Sequence, residues 1–265
     1  MPINISIIHL KFYKMAKQKG IMKLEGTIGD ITFYKSQDGY LAKGKGGIDG
    51  KRIATDPKFQ RTRENGSEFG SAGKAGKVLR NALRVLLQNS SDNRMVSRLT
   101  KKMVEVIQAD TTSTRGQRNV IDGEAELLEG FEFNSNAQLS NTLYAPYTPS
   151  IDRVTGTLKV NLLSFMPSTM IAAPGGTTHF KIVSIGAEID FENEVFVMDS
   201  KVSNVLAWDN TATAIINLNN VVTANSTHPL FVVLGIEFYQ DVNGVKYPLK
   251  NGAFNALSIV KVSGV

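Results

Sequence analysis

Apolar and polar positions alternate with a period of two through residues 21–47. Ile28, Ile31, Phe33 and Tyr40 are the strand formers, and Ser36-Gln37-Asp38-Gly39 supplies a turn. The pattern predicts an N-terminal β-hairpin. The run GKGGIDGKR, with Gly44, Gly46, Gly47 and Gly50, follows as a flexible basic connector. Asp56-Pro57 then marks a helix start, because Asp caps free amides and Pro suits the first turn.

The spacing over residues 57–88 is helical but interrupted by glycine. Gly66, Gly70 and Gly73 fall on one side of a helix, with Gly76 three residues later. Glycine inside a solvated helix costs about 1 kcal/mol against alanine. The segment is therefore expected either to break in two or to meet another backbone closely. Leu79, Leu83, Leu86 and Leu87 form an apolar face, and Asn89-Ser90-Ser91-Asp92 a loop. Residues 93–109 predict a second helix with Met95, Leu99, Met103 and Val106 on one face. Two helices joined by a short loop read as an antiparallel helical hairpin.

Residues 110–150 are polar and loop-rich, and the domain boundary is expected at 134–150. From Arg153 onward about seven β-rich runs follow without helices between them, which predicts an antiparallel β-sandwich. Asp241-Val242-Asn243-Gly244 is a hairpin turn between two of these runs. The fold class is α+β: an N-terminal β-hairpin and helical hairpin, then a β-sandwich. The expected layout is an extension at 1–20, hairpin and connector at 21–50, a basic helical region at 51–133, a linker at 134–150 and the sandwich at 151–265. Met15-Ala16-Lys17 reads as an alternative start, which makes residues 1–14 an extension.

Composition changes this picture in two places. The chain has no cysteine, so disulfides, thiolate metal sites and a cysteine nucleophile are excluded. Charge is split: residues 1–120 carry 23 Lys and Arg against 10 Asp and Glu, and residues 121–265 carry 7 against 14. That asymmetry points to an acidic partner for the front half or to head-to-tail attraction between copies. No apolar run is long enough for a membrane span. The basic residues near the N-terminus follow the Ile3–Leu10 run rather than precede it, so no Sec signal is expected. The compartment stays open between cytoplasmic and part of a released assembly.

Catalytic motifs are weak. GSAGKAGK at 70–77 lacks the Walker spacing and the Ser or Thr after the lysine. His9, His179 and His228 stand far apart without zinc-ligand spacing, and no Gly-x-Ser-x-Gly elbow occurs. Glu188, Asp190, Glu192 and Glu194 are candidates for calcium or glycoside chemistry, with Trp208 as the one stacking residue. The preferred reading is a solvated edge with a turn at 192–194. No catalytic residue, metal or cofactor is expected.

The basic stretch carries the functional expectation. Lys43, Lys45, Lys51, Arg52, Arg61 and Arg63 are candidate nucleic-acid contacts. Gly66, Gly70 and Gly73 with Lys74, Lys77 and Arg80 are candidate self-association residues, with Glu124, Glu126 and Glu129 as their acidic counterparts. Self-association into a homo-oligomer is the leading expectation. Nucleic-acid binding and a ligand-binding sandwich are the alternatives.

The segments GTIGDITFYKSQDGYLAK, DPKFQRTRENGSEFG, TRGQRNVIDGEAELLEGFEFN and FKIVSIGAEIDFE together resemble a group of uncharacterised Bacteroidota proteins. The resemblance runs over most of the chain from Met15 on. It implies a short β start, a glycine-dotted basic helical segment and a β-rich C-terminal half, and no activity or catalytic residues. In outline the chain is also similar to structural subunits of phage or filament assemblies.

Overall fold

The computed structural model describes residues 16–44 and 47–264. Residues 1–14 and the candidates His9 and Lys45 lie outside the described residues. Two compact units divide between Thr62 and Arg63.

In the first unit the expected hairpin is β3 (Ile31–Ser36) and β4 (Gly39–Gly44), flanked by β1 (Ala16–Lys17) and β2 (Gly26–Ile28). The antiparallel order is β1-β4-β3-β2. Ser36 Oγ accepts the Asp38 amide and Gly39 takes φ +105°, a conformation that suits glycine in this tight turn. Helix α1 (Gly50–Thr55) is capped by Asp49. A 3-10 turn at Pro57–Phe59 is capped by Asp56, which accepts the Lys58 amide at 2.9 Å.

Helix α2 (Gln60–Ala82) runs unbroken through all four glycines. The break comes after them, before α3 (Arg84–Leu87). After the loop, α4 (Met95–Gln108) completes the helical hairpin. Asp92 at that loop accepts the amides of Arg94 and Ser135 and pairs with Arg98, whose guanidinium also donates to the carbonyls of Glu132 and Phe133.

A 3-10 turn at Ala125–Leu128 and α5 (Leu139–Thr142) lead into the sheets. A three-stranded antiparallel sheet has the order β10-β6-β5, from β5 (Tyr147–Asp152), β6 (Thr157–Leu162) and β10 (Ile216–Val221). Helix α6 (Pro167–Met170) follows β6. The larger sheet is built on β7 (His179–Asp190) and β11 (Leu230–Val242). Beyond β7 lie β8 (Val195–Val202) and β9 (Leu206–Ala207); beyond β11 lie β12 (Val245–Pro248) and β13 (Ala256–Ser263).

Strands β7 and β11 are nearly continuous apolar runs because both faces are covered. Val183, Ile185, Ala187 and Ile189 pack with Leu79, Leu83, Leu99, Met103 and Val106 of the helices. Phe180, Ile182, Leu230, Val232, Leu234 and Ile236 pack with Leu158, Val160, Leu162 and Leu218 of the smaller sheet. The second unit is therefore helices, large sheet and small sheet in three layers, and the α+β class with a sandwich-like β-rich half stands. Residues 134–150 lie inside this unit. They include the start of β5, a terminal strand that carries Pro149 where a missing amide is tolerated.

Candidate assembly surfaces

Two exposed β surfaces stand out, one on each unit. On the N-terminal sheet the register sets Ile28 beside Ile31 and places Phe33 beside Ala42. Side chains alternate, so Ile28, Ile31, Phe33, Ala42 and Tyr40 share one face with Lys35, whose ammonium lies over the Tyr40 ring at 5.5 Å. The opposite face carries Thr27, Thr32, Tyr34, Leu41 and Lys43. None of residues 16–44 is buried. Ile28 is 62% exposed and Ile31 46%. A small sheet with an apolar face needs something packed on it to be stable.

On the second unit, the turn at 191–194 and strand β8 present Val195 (56% exposed), Phe196 and Val197 (46% exposed) in succession. Asp190 builds the turn by accepting the amides of Glu192 and Asn193 and the Asn193 side-chain amide. These bonds hold the Asp190 carboxyl below its ordinary pKa. The four carboxylates at 188–194 thus do not share a face. Glu188 and Asp190 are buried, Glu188 accepting from Ser226 Oγ at 2.7 Å, while Glu192 and Glu194 are exposed in the turn. Among the described residues no group of His, Asp and Glu is arranged to hold a metal ion. A cleft of about 520 Å³ lies beside this turn, where Ser71 and Lys74 of α2 face Asn119, Asp122, Phe191 and Glu192.

The remaining sequence candidates fall as follows. A methyl group placed on Gly66, Gly70 or Gly73 would meet nothing within 4 Å, so this stripe faces open space in the single chain. The helix buries its other side through Glu68, Ala72, Ala75, Val78 and Leu79. Lys77 is exposed and Arg80 Nε donates to the Gly76 carbonyl. Glu124 is exposed. Glu126 accepts the Gly264 amide at 2.6 Å, and Glu129 accepts the Val262 amide and pairs with Lys261 at 3.6 Å. Glu126 and Glu129 thus fasten the C-terminal strand rather than meeting Lys74, Lys77 or Arg80 through these bonds. Lys43 lies over the Tyr34 ring, Arg52 pairs with Asp56 at 3.2 Å, and Lys51 and Arg61 are exposed while Arg63 is half-buried. His179 opens β7 and bonds Thr178 Oγ1 through Nδ1, and His228 lies 3.9 Å from Asp190.

Sequence reasoning counted Val195-Phe196-Val197 in a strand but did not foresee its exposure. Its signal was three consecutive apolar residues after a turn, without the alternation of a half-buried strand. It also overlooked Arg153, which donates to the carbonyls of Ser226, His228, Ser263 and Gly264 and to Ser263 Oγ.

No family model matches the chain, and no curated protein matches it. Two solved structures overlap it in part. One, described as pH-induced modulation of Streptococcus parasanguinis adhesion by Fap1 fimbriae, is 14% identical, with 48% of this chain and 84% of that chain covered and a TM-score of 0.22. The other, the human F-spondin reeler domain, is 13% identical, with 48% of this chain and 99% of that chain covered and a TM-score of 0.17. At these TM-scores neither overlap carries a functional argument. Among the described residues no helix is long and apolar enough to cross a membrane.

Proposed function

We propose that this chain is a structural subunit that self-associates, with the N-terminal sheet of one copy covered by another copy. The observation that supports this reading is the apolar face Ile28, Ile31, Phe33 and Tyr40, which lies on a sheet with no buried residue. Contact with a partner gives that face the cover it lacks. Charge favours a second copy as the partner. Residues 1–62 carry 12 Lys and Arg against 5 Asp and Glu, and residues 121–265 are acidic. A front-to-back contact of this kind is heterologous, so repetition makes a ring or an open filament. The exposed Lys51, Arg52 and Arg61 support a second reading, nucleic-acid binding.

Light scattering and negative-stain microscopy of the full chain test the first reading. Concentration-dependent oligomers that weaken with salt are expected. A strictly monomeric species at high concentration and low salt overturns it. A gel shift with single-stranded or duplex nucleic acid at about 50 mM salt tests the second.

A further inference from the structure

Self-association makes no use of the clefts of the second unit. We infer that one of them, about 450 Å³ in volume, binds a neutral sugar ring. It lies where β13 meets β5 and α5.

Residues 130–133 run along the edge of β13. The Gly130 amide donates to Ile259, Ile259 to Phe131, and Phe133 to Leu257. This strap and β13 form one wall of the cleft, and Gln138, Ser140 and Tyr147 form the other. Glu132 reaches from the strap to α5, where its Oε2 accepts the Leu139 amide at 3.0 Å. The Tyr147 ring packs half-buried against the core between the sheets. Its hydroxyl has no hydrogen-bond partner among the described residues. Gln138 accepts from Asn141 through its oxygen, which leaves its amide nitrogen to donate.

The charges decide the class of ligand. Arg98 lies near the Glu132 carboxyl, and Glu129 at the rim pairs with Lys261 at 3.6 Å. A cation would meet Arg98 and Lys261, and an anion would meet Glu129 and Glu132, so neither sign gains. Burial pushes up the pKa of both Glu132 and Tyr147, which keeps the tyrosine a hydroxyl donor. A ligand with several hydroxyls both donates to the carboxylates and accepts from Gln138 and Tyr147. The Tyr147 ring offers an apolar face to the carbons of such a ring. An aromatic wall with a few convergent polar groups is the usual make-up of a small-molecule site, and the volume is in the usual range.

Saturation-transfer NMR of the full chain tests the inference. Glucose, galactose, mannose and N-acetylglucosamine serve as probes, each at about 10 mM, enough to fill most of a site with a Kd of about 1 mM. Transfer to at least one sugar is expected. Tyr147→Phe and Gln138→Ala are each expected to weaken it about fivefold, the loss of one hydrogen bond. Lys159→Ala, on the outer face of the smaller sheet, is expected to leave it unchanged. Circular dichroism checks each fold, and if Tyr147→Phe unfolds, the exposed Gln138→Ala decides alone. No transfer to any of the four sugars overturns the inference. Transfer that is equal in the parent and the cleft variants puts the sugar elsewhere and also overturns it. Either result leaves the self-association reading untouched.

Discussion

The side-chain amide of Asn220 donates to Ser184 Oγ at 2.7 Å, and this buried bond ties the smaller sheet to the larger one. Two residues along β7, on the same face, stands Gly186. A methyl group there would lie 2.7 Å from the Asn220 Cβ and 3.2 Å from the Leu158 Cβ. The sheets approach this closely because position 186 has no side chain. Gly186→Ala is expected to destabilise the protein by about 1–3 kcal/mol, since neither neighbour presents a flexible end that can yield. Urea unfolding measures it, and an unchanged midpoint contradicts the close approach.

The glycines of α2 separate into two kinds. Gly70 faces open space, whereas a methyl on Gly76 would sit 3.7 Å from Leu99. Gly70→Ala is expected to stabilise the monomer by about 0.5–1 kcal/mol, through helix propensity alone. Gly70→Leu is expected to fold. Gly76→Leu is expected to cost about 1–3 kcal/mol by overpacking against Leu99 and Met103. Thermal melts of the variants under dissociating salt compare them. A loss of association in Gly70→Leu with the fold intact identifies the stripe as a contact between copies.

Arg153 holds four carbonyls and one hydroxyl, and joins the β5–β6 hairpin to the loop before β11 and to the C-terminal strand. Arg153→Ala is expected to cost at least about 3 kcal/mol, because several carbonyls lose a charged donor together. Arg153→Lys is expected to recover a minority of that, since an ammonium cannot span the same fork. Chemical denaturation of both variants checks the order.

Two carboxylates predict opposite pH dependence. Burial tends to raise the Asp110 pKa, but bonds from the amides of Ser113 and Thr112 and from Thr112 Oγ1 outweigh it and hold the carboxyl well below its ordinary value. A depressed folded pKa contributes stability above the unfolded value of about 3.9, lost as pH falls toward the folded value. Asp110→Asn is therefore expected to lower the melting temperature at pH 7 and to flatten the acid limb below about pH 4.

Glu132 is shifted the other way. Burial raises its pKa, against the Leu139 amide and the charge of Arg98, which lower it. A raised carboxyl pKa means that stability falls as pH rises from the unfolded value through the folded one. Glu132→Gln keeps an acceptor for Leu139 and removes the half-buried charge. Its melting temperature relative to the parent is expected to be higher at pH 7 than at pH 4. Melts across that range, with an equal difference at both ends, would contradict it.

Local chemistry made much of the fold legible. The Asp56 cap, the leucine face after Gly76, the Asp241–Gly244 turn and seven strand runs depend on residues close in sequence, where alternation and turn preference act directly. The charge split was equally plain, because it needs no geometry. Pairing and coverage were not local. Strand β5 escaped notice because Pro149 and the polar residues around it read as a linker, and only its register with β6 makes it a strand. The glycine stripe suggested a close backbone approach, but the helix turns its other side to the core. Glu126 and Glu129 suited the lysines of α2 by charge, yet the return of β13 brought amide donors and Lys261 to them first. Whether an apolar run is core or open surface depends on which layer arrives above it. For β7 and β11 two layers arrive, and Val195 to Val197 stay exposed, a distinction that tertiary structure alone decides.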